Sequence, residues 1–207
     1  VVTDVDSTLI TGEVIEMLAG HAGSRDRVTA ITDRAMRGEI DFRQSLEERV
    51  ATLAGLPVTV LRDVQDEVEL TPGAERLVNA LHAAGWPVGV VSGGFAEVVE
   101  PLALRLGIGF VRANRLEVAD GRLTGRVAGP VVDAAAKAAA LREFAAAEGV
   151  PLDRTVAIGD GANDLLMLEA AGLGIAYNAK PVVCDRADVA VLGKPLDAVL
   201  ALLGLEG

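Results

Sequence analysis

Apolar residues run along this chain in two alternating rhythms. Short uncharged runs, Val88-Gly89-Val90-Val91 and Thr155-Val156-Ala157-Ile158, have the length and β-branched content of strands buried on both faces. Val1-Val2-Thr3, Leu173 to Ala176 and Val189 to Val191 read as further short strands. The segments between them read as helices. Thr71 is placed to cap one, with Pro72 at its first position and Gly85 closing it. Others span Phe95 to Leu106 (Pro101 a kink), Asp133 to about Glu148, Asp164 to Ala171 and Pro195 to Leu203. Strands alternating with helices predict an α/β fold, a parallel sheet covered on both faces.

Two stretches depart from that rhythm. From Thr11 to Leu70 the pattern gives four short helices and no convincing strand. They cover Glu13 to Gly20, a helix capped by Ser24 and running to about Arg37, a third begun by Asp41 and ended by Gly55 and Pro57, and Val58 to about Glu67. Later, Phe110 to Val118 and Arg122 to Val127 flank Asp120-Gly121, the signal of a tight β-hairpin. The uncharged stretch Leu77 to Ala96 is broken by Gly85, Pro87, Gly93 and Gly94, so it reads as soluble core rather than a membrane span.

Composition narrows the function. The chain has 207 residues, 51% hydrophobic but only 3% aromatic, so its core is Ala, Val and Leu. That length suits one large domain, or a core with a small insert. A formal net charge of -11 argues against nucleic acid and anionic membrane surfaces as partners. The single cysteine, Cys184, makes no internal disulfide and reads as a buried small hydrophobe; with no signal-peptide pattern, a cytoplasmic location is expected. The chain starts at Val1, already inside the first strand, which leaves an upstream regulatory domain open, along with a homodimer.

Ligands of open α/β sheets collect at the carboxyl ends of the strands. Three predicted strands end there in groups of complementary chemistry: Asp4 and Asp6, then Ser92-Gly93-Gly94, then Gly159-Asp160-Gly161-Ala162-Asn163-Asp164. In extended chain Asp4 and Asp6 point the same way. Two such charges ~4 Å apart repel by ~4 kcal/mol at an effective dielectric of ~20. The first Lys or Arg is Arg25, so a cation or a shared proton is the natural relief. Four carboxylates, Asp4, Asp6, Asp160 and Asp164, predict a hard divalent cation, best Mg²⁺. Ser-Gly-Gly at a helix start offers a hydroxyl and N–H groups to an anion. Lys137, the one cation between Asp133 and Leu141, supplies counter-charge for phosphoryl oxygens. Singly, each has a plainer reading, as a capping aspartate, a tight turn or a solvated lysine. Their convergence outweighs it.

These motifs, in this order and spacing, resemble the haloacid dehalogenase-like superfamily and, within it, the phosphoserine phosphatases. Asp4, Asp6 and Thr8 match the first motif, Ser92 the second, Lys137 the third, and Gly159-Asp160-Gly161-x-Asn163-Asp164 the fourth. The resemblance implies a Rossmann-like core (1–10 and 71–207), a helical cap inserted at 11–70 and a hairpin flap at about 110–128. It implies Mg²⁺-dependent hydrolysis of O-phospho-L-serine. Asp4 would be the nucleophile and Asp6 the acid and base; Asp4, the Asp6 carbonyl and Asp160, supported by Asp164, would hold Mg²⁺. Ser92, Gly93 and Lys137 would bind the phosphoryl group. Glu13 would receive the ammonium, Arg49 the carboxylate, Phe42 would act as an aromatic lid, and Asn163 would complete the shell. Two other readings stay open: a phosphatase or phosphotransferase of this superfamily acting on another small phosphomonoester, and a receiver-like domain switched by phosphorylation of an aspartate.

Overall fold

The computed structural model describes residues 1–205; Glu206 and Gly207, assigned by sequence to the core, lie outside the described residues. Seven strands form one sheet in the order β4-β3-β2-β1-β5-β6-β7. They are β1 (Val2–Thr3), β2 (Gly89–Phe95), β3 (Phe110–Ala119), β4 (Arg122–Ala128), β5 (Val156–Gly159), β6 (Leu173–Tyr177) and β7 (Val189–Val191). All pairings are parallel except the β3–β4 hairpin. The helices are α1 (Val14–His21), α2 (Arg25–Met36), α3 (Phe42–Ala51), α4 (Val60–Glu67), α5 (Ala74–Ala83), α6 (Ala96–Arg105), α7 (Ala134–Ala147), α8 (Leu165–Ala170), α9 (Pro181–Cys184) and α10 (Val199–Leu202). No described helix is long and apolar enough to cross a membrane.

Neighbouring residues on a strand face opposite sides of a sheet, and here both sides are apolar. Val90, Ile158 and Ile175 pack into a large cluster with α5, α6 and residues of α1, α3 and α4. Val91, Ala157 and Ala176 enter a second, smaller cluster with Leu141 and Phe144 of α7 and Leu165 and Leu168 of α8. The sheet is thus sandwiched, with β1 at its centre flanked by β2 and β5. That centre brings Asp4, Ser92 and Asp160 to one edge.

Local chemistry sets two helix starts where the sequence places them. Asp41 accepts from Gln44 N at 2.8 Å, and Asp133 from Ala136 N at 2.9 Å. Other expectations change. Ser24 precedes α2, but its hydroxyl donates to Thr52 Oγ1 at 3.1 Å, tying α2 to the end of α3. The helix expected at Thr71-Pro72 begins only at Ala74. Leu196 N–H bonds the Pro72 carbonyl at 2.7 Å, and Gly73 turns at φ +84°. A β-carbon on Gly73 would strike Asp197, so only glycine fits this turn. Ser92-Gly93-Gly94 belongs to β2, which runs to Phe95, not to a helix start. The segments at 162–170 and 196–202 each open with a short 3₁₀ turn before the α-helix. Cys184 is half-buried, not buried.

The chain leaves and re-enters the sheet region at one point. Ile10 and Leu70 face each other across an antiparallel bridge, with Thr11 N to Glu69 O and Thr71 N to Leu9 O both 3.0 Å. The four-helix insert between them is also tied to the hairpin. Gly55 N donates to Leu123 O (2.8 Å), Leu123 N to Leu56 O (2.9 Å), Val58 N to Gly121 O (2.9 Å) and the Arg122 guanidinium to Gly55 O (2.6 Å). Gly125, at φ +81°, lets this strap close: a β-carbon there would stand 2.9 Å from Ala54 Cβ. Gly125→Val combines a left-handed backbone with that collision and is expected to lose about 2–4 kcal/mol in urea unfolding. A loss under about 0.5 kcal/mol would show that the strap yields freely.

Candidate active site

Strand β1 stops at Thr3, and the chain turns at once: Leu9 N and Ile10 N both bond Val5 O, at 2.9 and 3.0 Å, and Ser7 adopts φ +58°. The alternation that would aim Asp4 and Asp6 alike therefore ends with the strand. Their carboxylates serve different partners on one cavity.

Asp4 belongs to a buried charge cluster. Oxygens of Asp4, Asp160 and Asp164 all lie within 4.8 Å of one another. Lys137 Nζ, fully buried, donates to Asp4 Oδ1 at 2.5 Å and Asp164 Oδ1 at 2.6 Å. The relief of the acidic crowding that sequence leaves to a cation or proton is thus begun by Lys137. One ammonium faces three carboxylates. Burial, then the Asp164 charge, pushes Asp4 well above the ordinary carboxylate range against the pull of Lys137. Burial and Asp164 likewise push Asp160 to about 6. Burial alone would depress Lys137, but Asp164 and Asp4 override it and hold its pKa above the usual lysine value. Thr8 Oγ1 donates to Asp160 Oδ1 at 3.4 Å, and Gly161 N to Asp164 Oδ2 at 3.0 Å.

The Asp6 carboxylate stands outside this cluster, so three carboxylates converge, not four. Its Oδ1 accepts from Val14 N at the start of α1 (2.8 Å), and its Oδ2 from Ser92 Oγ (3.0 Å). Burial raises its pKa, opposed by those two donors. Ser92 Oγ in turn accepts from Gly94 N at 2.8 Å. A β-carbon on Gly94 would come 2.5 Å from Asp6 Oδ2, so this glycine makes room for the carboxylate.

A cavity of about 740 Å³ opens above these groups, lined by Asp4, Asp6, Asp160, Gly93 and Asn163 from the sheet edge and by Glu13, Phe42 and Arg49 from the insert. Ser92, Lys137 and Asp164 lie beneath its wall. Ser92 and Lys137, read from sequence as contacts to a phosphoryl group, here hold Asp6 and Asp4. Phe42 reaches over Gly93: a β-carbon there would meet Phe42 Cζ at 3.2 Å. Glu13 accepts from Ser7 Oγ at 2.9 Å, and burial, then Asp6, pushes its pKa up to about 7. Arg49 is half-buried; its Nε donates to Ser45 O at 3.3 Å, and no carboxylate pairs with its guanidinium among the described residues. Burial lowers its pKa and Glu13 opposes this. Met36, Ile40 and Lys180 also line the cavity without having stood out in the sequence. Lys180 Nζ lies 3.5 Å from Met36 Sδ, where insert and core meet. Ser7 could have been singled out by its place beside the acidic pair.

The sequence model of haloacid dehalogenase-like hydrolases matches residues 1–169, and the chain belongs to that family. More particularly, it is 58% identical over 205 residues to phosphoserine phosphatase SerB2 of Mycobacterium tuberculosis, covering 99% of this chain and 50% of that protein. The chain thus spans about half the length of that relative. It is 50% identical over 206 residues to the phosphoserine phosphatase of Streptococcus thermophilus, 96% of whose length it covers. A solved structure described as a phospho-aspartyl intermediate analogue of phosphoserine phosphatase superposes with a TM-score of 0.91 at 41% identity, covering 97% of this chain and 96% of the other.

Removing the lysine isolates the cluster's electrostatics. Lys137→Met leaves Asp4 and Asp164 buried without their cation and is expected to cost about 3–5 kcal/mol at pH 8. The loss should be smaller at pH 5 than at pH 8, because lowering the pH favours the protonated form of Asp4, whose pKa burial raises, and that form needs no cation. Urea unfolding at both pH values checks this; equal small losses would contradict it.

Proposed function

We propose that this chain hydrolyses O-phospho-L-serine to L-serine and phosphate through an aspartyl-phosphate on Asp4. The observation that carries the reading is a single cavity lined by Asp4 and Asp6 from the core and by an acid and a base, Glu13 and Arg49, from the insert. A phosphomonoester that also bears an ammonium and a carboxylate matches all three demands.

The three converging carboxylates offer hard oxygen donors of the kind Mg²⁺ takes, so Asp4, Asp160 and Asp164, with the Asp6 carbonyl, would hold it. Once bound, it would neutralise charge on the phosphoryl oxygens. The remaining work falls to side chains. Lys137 fixes Asp4 through Oδ1 and leaves its other oxygen for attack on phosphorus. Asp6, whose raised pKa favours a bound proton, gives it to the departing serine oxygen and then takes one from the water that cleaves the acyl phosphate. The Gly93 amide serves the phosphoryl oxygens. Glu13 receives the ammonium, Arg49 presents its planar fork to the carboxylate, Phe42 closes over Gly93, and Asn163 completes the shell.

We assign residues 11–70 as a cap over a core of 1–10 and 71–207, opening to admit substrate and closing to exclude water. A cytoplasmic setting accords with the lone cysteine.

Three measurements test the reading. Asp4→Asn should lower turnover by ~10⁴-fold or more, and near-normal turnover would remove Asp4 as nucleophile. Arg49→Ala should raise KM for O-phosphoserine by ~10–100-fold and leave hydrolysis of an aryl phosphate nearly unchanged. Equal losses on both substrates would assign Arg49 another role, and a wild-type protein that treats both alike would point to a general phosphomonoesterase. Glu13 is uncharged below its pKa of about 7, so KM for O-phosphoserine should rise as pH falls through 7. In Glu13→Gln that dependence should vanish; its persistence would place the titrating group elsewhere.

A further inference from the structure

Asn114 lies on β3, outside the cavity, and no reading of the motifs includes it. It is 1% exposed, and both ends of its amide are bonded. Its Nδ2 donates to Gly93 O at 2.8 Å, and its Oδ1 accepts from Val132 N at 2.8 Å. These partners fix the orientation of the amide, because a carbonyl needs the donor end and an N–H the acceptor end.

The Gly93 carbonyl and the Gly94 N–H belong to one peptide plane. Asn114 holds the carbonyl side, and Ser92 Oγ holds the N–H side at 2.8 Å. Because Ser92 Oγ accepts from Gly94, its own proton points to Asp6 Oδ2 at 3.0 Å. Two consecutive glycines leave this backbone free to rotate unless it is held. On the other side, Val132 precedes Asp133, which caps α7, the helix that carries Lys137 to Asp4. One side chain thus links the turn behind Asp6 to the helix behind Asp4.

We propose that Asn114 is a positioning residue for phosphoryl transfer: it clamps the Gly93–Gly94 peptide and registers that turn against the start of α7. The inference rests on the phosphatase reading but not on the identity of the ester's organic part. It acts through the Gly93 amide, Ser92 and Asp6 rather than by touching substrate.

The test uses Asn114→Asp, which keeps the acceptor for Val132 and sets an oxygen against the Gly93 carbonyl, and Asn114→Ala, which loses both bonds. Inorganic phosphate and L-serine are titrated calorimetrically into each variant and the wild-type chain in the presence of Mg²⁺, and kcat is measured. The expected result is at least tenfold weaker phosphate binding and at least tenfold lower kcat, with L-serine affinity within twofold, since Glu13 and Arg49 are untouched. A folded variant with phosphate affinity and kcat within twofold of wild type would overturn the proposal. So would an equal fall in phosphate and serine affinity, the mark of general loosening. Should neither variant fold, amide hydrogen exchange in the wild-type chain decides: Gly94 must be as protected as Val90 and Val91, and rapid exchange there overturns the clamp. A wild-type chain that binds phosphate but does not favour O-phosphoserine sinks the substrate assignment and leaves this test intact. One that binds no phosphate sinks both.

Discussion

One ammonium against three carboxylates is the constraint around which the molecule is arranged. Lys137 is fully buried, as is Asp164, and Asp4 nearly so, in a position where ionised groups are costly to place. The fold accepts the expense because Lys137 satisfies two of the acids while the third, Asp160, keeps the site short of positive charge. That shortage is the site's chemical character: on the proposed function it would draw in a small hard cation and, through it, a phosphate that the acidic chain would otherwise repel.

The sheet makes this crowding unavoidable. β1 lies between β2 and β5, and all three run parallel, so whatever follows each strand meets at one edge. Val90 and Val91, or Ile158 and Ala157, anchor alternate faces in separate cores, so the strand ends cannot retreat from one another without undoing both. The insert leaves and returns through the Ile10–Leu70 bridge, and its far end is strapped to the hairpin at Gly55 to Val58. Glu13, Phe42 and Arg49 thereby face the acidic edge from a unit held both at that bridge and at the hairpin.

How much of this is legible in the sequence depends on the range of the interaction. The α/β alternation, the hairpin at Asp120-Gly121 and the caps at Asp41 and Asp133 follow from local pattern, and the structure agrees. Thr71-Pro72 misleads because the start of α5 is set by Leu196 and Asp197, more than a hundred residues away. Asp4 and Asp6 look equivalent by alternation, but β1 ends before them. Lys137 reads as a free counter-charge, because nothing local shows that its ammonium lies between two acids. Asn114 carries no signal at all: a lone amide in a strand acquires meaning only when Gly93 and Val132 arrive on either side of it.

The central claim is that the Asp4, Asp160 and Asp164 oxygens form a divalent-cation site whose charge Lys137 only partly balances. Calorimetric titration of Mg²⁺ into the metal-free chain tests it most directly, with Asp160→Asn as the comparison. The account predicts one ion bound per chain and at least tenfold weaker binding in the variant; no binding by the wild-type chain, or unchanged affinity in Asp160→Asn, would contradict it.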